Sequence, residues 1–416
     1  MFPEVTAADE AALLELIFEF GVIGATPDGG VCRLAGSPAD AKARRLFSSE
    51  LKALGAAIEL DPIGNQFGRM LFGTERGAIL CGSHLDSQPT GGRFDGALGI
   101  AAAIVAARIL ARNSYKFRYR RDLILCNWTN EEGARFTPSL TGSSVFAGRM
   151  TLDQALRLTD ANGETLGRAL SAIGYLGSGT APKDAVAAVE LHIEQGPELE
   201  GADVRVGIVD RSWAARKMCL CFKGQPSHTG PTAKYQRRDA LLAAARFVSL
   251  AHDLAEATHD APVLSIARIE NAPNSTNVIA FETRLWVEIR HSQESACETF
   301  GDRVLRLAED EQNLGGCQVA TEQDQLRPAV RLDPEGHRLA TEICGRLGIS
   351  WKSMATVAGH DALALSQVMP STLIFVPSVG GISHSPKELT KPSDALTGLR
   401  VLVDWLHLRL LDEAAH

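Results

Sequence analysis

Three stretches in the first half of the chain carry apolar runs that end abruptly in polar residues: GAILCGSHLDS at 77–87, RDLILCNWTNEEG at 121–133 and DAVAAVELHIEQG at 184–196. Short apolar runs of this kind, bounded by turn-forming residues, predict buried strands. Between the first two lies ALGIAAAIVAARILAR at 97–112, a helical pattern. Strands alternating with helices predict an α/β domain with a mixed, mainly parallel sheet flanked by helices, and ligand sites in such sheets gather outside the carboxyl ends of the strands. After about Asp210 the texture changes to strand-like RKMCLCFKG, a Gly/Pro/Thr-rich loop, the helical RRDALLAAARFVSLAHDLAEA, and strand-like LSIARIE and RLWVEIRH. From about Pro328 the first texture resumes, through PSTLIFVPSVGGISHSPKE. The expected organisation is a catalytic domain of residues 1–212 and 328–416, interrupted by a smaller α+β unit of residues 213–327.

Composition narrows the partners. A chain of 416 residues, 45% hydrophobic, is long enough for two domains. Its net charge of -8, without a long basic run, points away from nucleic acid and anionic membrane and toward small molecules. The opening MFPEVTAADEAALLELIFEF has acids ahead of an amphipathic pattern and lacks the basic start and small-residue cleavage site of a signal peptide. The most apolar window, 97–110, is short for a membrane span and contains Arg108. Eight cysteines without C-x-x-C spacing read as free thiols, which suits the cytoplasm. Cys219 and Cys221, two apart on a strand, are expected on one face in core packing.

The chemistry collects at the predicted strand ends. GSHLDSQPTGGRFDGALG places His84, Asp86 and Asp95 among glycines that let the backbone turn sharply. Imidazole and carboxylate together suit zinc and its neighbours, and a carboxylate can bridge two ions. Asp86, two residues past His84, is placed to orient the histidine rather than bind metal. Adjacent Glu131 and Glu132 follow a buried strand with no basic residue before Arg135. Two like charges there are costly unless a cation or shared proton compensates, so one carboxylate is expected to ligate metal and the other to move protons. His192 and Glu194 end the third strand, and His384 lies beside Gly380 and Gly381. A single histidine of this kind is more often structural; three converging with carboxylates at one sheet edge have the composition of a dinuclear nitrogen/oxygen site.

In the order GSHLDSQPTGGRFDG, NEEGARF, ELHIEQGP, NVIA with a following RH pair, AGHDA and GISHSPKE, these motifs resemble the zinc-dependent aminoacylase and carboxypeptidase-type metallohydrolases. Within them the chain is similar to the branch of N-carbamoyl-L-amino-acid hydrolase, β-ureidopropionase and allantoate amidohydrolase. The resemblance spans nearly the whole chain. It implies His84 and His192 on one metal, Glu132 and His384 on the other, Asp95 bridging, and Glu131 as general base. It further implies His228 and Asn277 as oxyanion donors, Gln195 as a substrate contact, Arg290 as a bidentate clamp on the substrate carboxylate, and Gly359, His360, Gly380 and Gly381 lining the pocket. Relatives dimerise through the smaller domain, so a homodimer is expected.

One loop departs from the branch. Where its members usually show a small residue, Gly, two threonines and Pro-Met after the histidine, this chain reads TGPTAKYQRRDA, with Thr229, Pro231, Ala233 and Lys234 all different. The metal chemistry is unaffected by that change, while the preferred acyl group and side chain depend on it. The leading expectation is hydrolysis of an N-carbamoyl-L-amino acid to amino acid, CO2 and NH3. An N-acyl amino acid or dipeptide hydrolase, or an allantoate amidohydrolase, would use the same machinery. A non-catalytic binding module would be expected to have lost a ligand or the base, and none is lost. Two divalent ions are expected, zinc first, with manganese, cobalt or nickel compatible with the donors.

Overall fold

The computed structural model describes residues 2–73, 75, 77–260, 262–310 and 314–411. The chain divides into two compact units, Met1–Asp210 with Arg331–His416, and Arg211–Val330.

The first unit is built on an eight-stranded mixed sheet. Its strands are β1 (Ala57–Leu60), β2 (Gln66–Met70), β3 (Ala78–His84), β4 (Asp122–Trp128), β5 (Ala185–Ile193), β6 (Val206–Ser212), β11 (Trp351–Thr356) and β12 (Ser371–Val376), in the order β1-β2-β4-β3-β5-β12-β6-β11. The central four, β4, β3, β5 and β12, run parallel, so their carboxyl ends share one edge. Antiparallel strands extend them on either side, β2 against β4 and β6 against β12. The parallel strands are buried on both faces, which is why their sequences are near-continuous apolar runs and not alternating ones.

Helix Ala97–Asn113 lies against β3, β4 and β5, and its alanines let it approach closely. With Ser114–Lys116 it forms the one segment among the described residues that is long and apolar enough to cross a membrane, and 78% of its apolar window is buried in this core. Arg108, within it, pairs with Glu50. Helices Ala7–Val22 and Pro392–Leu411 complete that layer, the first opened by a capping box between Thr6 and Asp9.

The second unit holds a four-stranded antiparallel sheet of β7 (Ala214–Lys223), β8 (Val263–Ala272), β9 (Glu282–His291) and β10 (Gln318–Arg327), in the order β10-β7-β9-β8. Helices Ala240–Glu256 and Glu294–Glu309 pack on one face, where Met218, Leu220, Phe222, Leu285, Val287 and Ile289 form its core. Strand alternation sends Cys219 and Cys221 to the opposite face. Both are buried there, with the Cys219 thiol 3.8 Å from a Glu322 carboxylate oxygen, so the expected shared face is seen but it is not the helix-packed one. All eight cysteines are free thiols.

Candidate metal centre

The carboxyl ends of β3, β4, β5 and β12 and the loops that follow them deliver His84, Glu131, Glu132, His192 and His384 to one place. Asp95 arrives on the loop before helix Ala97–Asn113 and sits between two donor groups. Its Oδ1 lies 3.4 Å from His84 Nε2 and 3.2 Å from His192 Nε2. Its Oδ2 lies 3.3 Å from His384 Nε2, which is also 3.3 Å from Glu132 Oε2. The donor atoms of His84, Asp95 and His192 fall within 4.8 Å of one another, as do those of Asp95, Glu132 and His384. The two trios therefore share one carboxylate, with one oxygen directed to each.

Second partners fix which nitrogen each ring presents. His84 Nδ1 donates to the Asp86 carbonyl at 3.0 Å, and His192 Nδ1 to the Ile193 carbonyl at 3.0 Å, which turns both Nε2 atoms toward Asp95. The Asp86 carboxylate is 3.9 Å from His84 Nδ1. Instead of the histidine, it takes the backbone N–H groups of Glu131 and Glu132, both at 3.1 Å, one on each oxygen. It orients the tandem glutamates, and its main chain orients the imidazole. Gly96 is required by the same crowding. Its φ is 64°, and a Cβ there would come within 2.6 Å of the His84 ring. Gln195 and His384 also sit at positive φ, 59° and 53°, a strained conformation that clusters at functional sites.

Charge in this cluster is arranged for cations. Burial works against ionising Asp95, yet hydrogen bonds with His192, His384 and His84 hold its carboxyl well below the usual range. Burial likewise opposes a charge on His84, but Glu131, Asp95 and Asp86 raise it well above an ordinary histidine. Three imidazoles and two carboxylates in paired trios fit zinc or a similar ion. Glu131 belongs to neither trio. Its Oε2 is 3.5 Å from His84 Nε2, and burial pushes its carboxyl well above the usual range, with His84 opposing and Asp361, Glu132 and Asp86 adding to the rise.

Gln195, expected as a substrate contact, donates to Asp95 Oδ2 at 2.8 Å and to Ser383 Oγ at 3.2 Å. His360 is buried with its ring edge-on to His192, 4.6 Å between centroids, and Gly359 precedes it half-buried. Gly381 lies against Gly196 and Pro197, and the Gly380 N–H donates to Glu200. In the second unit, the loops of His228 and Asn277 meet: Thr229 N donates to the Asn277 carbonyl at 3.3 Å, and His228 pairs with Val278. Gly230 N donates to His228 Nδ1 at 3.0 Å, so the neutral ring carries its proton on Nε2. Arg290, on β9, holds Glu288 Oε1 through Nε at 2.9 Å and Nη2 at 2.7 Å.

Several residues of the site were not singled out from sequence. Gln88 donates from Nε2 to Glu132 Oε2 at 2.8 Å. Glu190 takes Ser83 Oγ at 2.7 Å and the Ala362 N–H at 2.9 Å. Glu388 takes the N–H groups of Phe94 and Asp95. For Glu190 a signal existed, since strand alternation places it on the face of His192.

A parallel-sheet core with a histidine and carboxylate cluster able to hold metal ions at its carboxyl edge defines a metal-dependent hydrolase. Comparison with known proteins makes the class specific: residues 80–408 match Peptidase family M20/M25/M40, and the chain belongs to that family, whose members are metal-dependent hydrolases of C–N bonds. It is 33% identical to an N-carbamoyl-L-amino-acid amidohydrolase of Rhizobium meliloti, over 94% of either chain. It is 31% identical to an allantoate amidohydrolase of Escherichia coli, over 92% of this chain and 94% of the other. The crystal structure of an amidase of the hydantoinase/carbamoylase family from Burkholderia vietnamiensis superposes with a TM-score of 0.91 at 35% identity, covering 98% of this chain and all of the other. Mixed α/β architecture with a second antiparallel sheet is thus the fold of that family.

Proposed function

We propose that this chain is a cytoplasmic, homodimeric, two-metal amidohydrolase that cleaves the linear C–N bond of an N-carbamoyl-L-amino acid, giving the amino acid, CO2 and ammonia. The observation that carries the reading is Asp95, one carboxylate shared by His84 and His192 on one oxygen and by His384 on the other, with Glu132 completing the second trio. Zinc is the ion proposed, held by those five residues. When bound, the ions polarise the substrate carbonyl and make water a better nucleophile.

The chain's own residues do the rest. Glu131, fixed through its N–H by Asp86 and left outside the trios, takes the proton of the attacking water on its carboxylate and gives it to the leaving nitrogen. A buried carboxyl with a raised pKa suits both steps, because it accepts a proton readily and still returns it. His228, with its Nε2 proton, and Asn277 are assigned to the developing oxyanion. Arg290 is assigned to the substrate carboxylate, which must then compete with Glu288. Support for dimerisation comes from β8, an edge strand with Val263 and Ile269 exposed. Support for the cytoplasm comes from eight free cysteines.

Allantoate is the second substrate considered, because a relative named for it is nearly as similar as the carbamoylase. The test is ammonia release from N-carbamoyl-L-amino acids, N-carbamoyl-β-alanine and allantoate, beside amino-acid release from N-acetyl and N-formyl analogues. Turnover confined to the N-carbamoyl-L-amino acids is expected. Ammonia from allantoate alone would move the chain to the second reading, and amino-acid release from the acyl set alone would overturn both.

A further inference from the structure

Glu388 lies four residues beyond His384 and is almost fully buried. Its Oε1 accepts two backbone N–H groups, Phe94 at 2.9 Å and Asp95 at 3.1 Å. Its Oε2 accepts the Ser383 hydroxyl at 2.9 Å. Ser383 Oγ is also 3.2 Å from Asp95 Oδ2, and Gln195 Nε2 reaches both atoms. One carboxylate therefore holds the main chain of Phe94 and Asp95, and the Ser383 hydroxyl it accepts lies beside the Asp95 side chain. Space for it exists only because residue 92 is glycine: a Cβ at Gly92 would stand 2.1 Å from Glu388 Oε1. Without that carboxylate, loop 92–95 would leave two backbone donors, the N–H groups of Phe94 and Asp95, buried without an acceptor.

We infer that Glu388 is a positioning residue that aims the Asp95 carboxylate so that each of its oxygens faces one metal. The inference rests on the two-metal reading above. Because Asp95 is common to both trios, disturbing Glu388 weakens both metals together, whereas a ligand such as Glu132, present in one trio only, serves one. Outer partners of metal ligands generally change affinity by about 10- to 100-fold.

The test is a calorimetric titration of the metal-stripped full chain with Co2+ alone, read together with the cobalt absorption spectrum and the melting temperature of the metal-free form. Wild type, Glu388→Ala, Glu388→Asp, Glu388→Gln and Glu132→Ala are compared. Wild type should bind two ions. Glu388→Ala should lose about 10- to 100-fold in affinity at both sites. Glu388→Asp should lose at both as well, since a carboxylate one methylene shorter cannot span the two loops. Glu388→Gln should stay within about threefold, because its amide oxygen still accepts the two N–H groups and its NH2 still meets Ser383. That rescue, and the coupled loss at two sites, would not arise from a general packing defect, and the Asp and Gln variants decide the matter even if the Ala variant does not fold. Full binding of both ions by the Asp and Ala variants, or loss confined to one ion, overturns the role of Glu388 while the two-metal reading stands. A wild type that binds no divalent ion overturns both.

Discussion

Replacing Asp86 by asparagine isolates the arrangement that holds Glu131, the proposed base, beside Glu132, the proposed ligand. The two Asp86 oxygens each accept one N–H, from Glu131 and Glu132, both at 3.1 Å. Asparagine offers one oxygen, and its NH2 must face the remaining N–H. One charge-assisted hydrogen bond is lost and one buried donor is left without an acceptor, together about 1.5–3 kcal/mol. If the tandem glutamates hold their catalytic geometry only through these bonds, that energy appears in the transition state, as roughly a 10- to 150-fold fall in kcat/KM at 1.36 kcal/mol per decade. His84 keeps its partner, because the ring bonds the residue 86 carbonyl, so the first trio should stay intact while the Glu132 trio loosens. The assay is ammonia release with metal content measured on the same sample. Asp86→Asn with kcat/KM within threefold of wild type would refute the reasoning, as would loss of the first metal in preference to the second.

Glu131→Gln should lower kcat by about 10²- to 10⁴-fold with both metals retained, since Glu131 is in neither trio, and a metal assay beside steady-state kinetics checks it. Gly96→Ala should lower the melting temperature and metal content together, because its Cβ would come within 2.6 Å of the His84 ring at a φ of 64°; a fully loaded variant would contradict the packing argument. Asp404 supplies a pH signature: burial, opposed by Arg346, raises its carboxyl to about 6, so its contribution favours the folded state at low pH and is lost as pH rises through that value. The melting temperature of Asp404→Asn relative to wild type should therefore be higher at pH 8 than at pH 5, and an unchanged difference would count against it.

The parallel core was legible because β3, β4, β5 and β12 are buried on both faces and so appear as uninterrupted apolar runs. The residues of the two trios were legible for a related reason: polar residues at the ends of such runs have few structural uses. The antiparallel additions were harder to read. β1 is four residues of alternating exposure, and β6 joins β12 with a polarity that no local pattern specifies. Asp86 shows the limit of spacing: two residues from His84 gave proximity, but the backbone turn decided that the carbonyl, not the carboxylate, takes the ring proton. Glu388, in a loop with Ser, Pro and Lys, looks like a solvated charge until the fold brings it against Gly92. The Glu288 partner of Arg290 lies two residues away on the same strand face, where alternation could have shown it.

The most direct test of the account is turnover as a function of metal equivalents. Metal-stripped enzyme, titrated with zinc or cobalt while ammonia release from an N-carbamoyl-L-amino acid is followed, should be inactive at zero equivalents and reach full rate at two per chain. Activity that survives chelation, or that is complete at one equivalent, would contradict a centre in which Asp95 joins two ions.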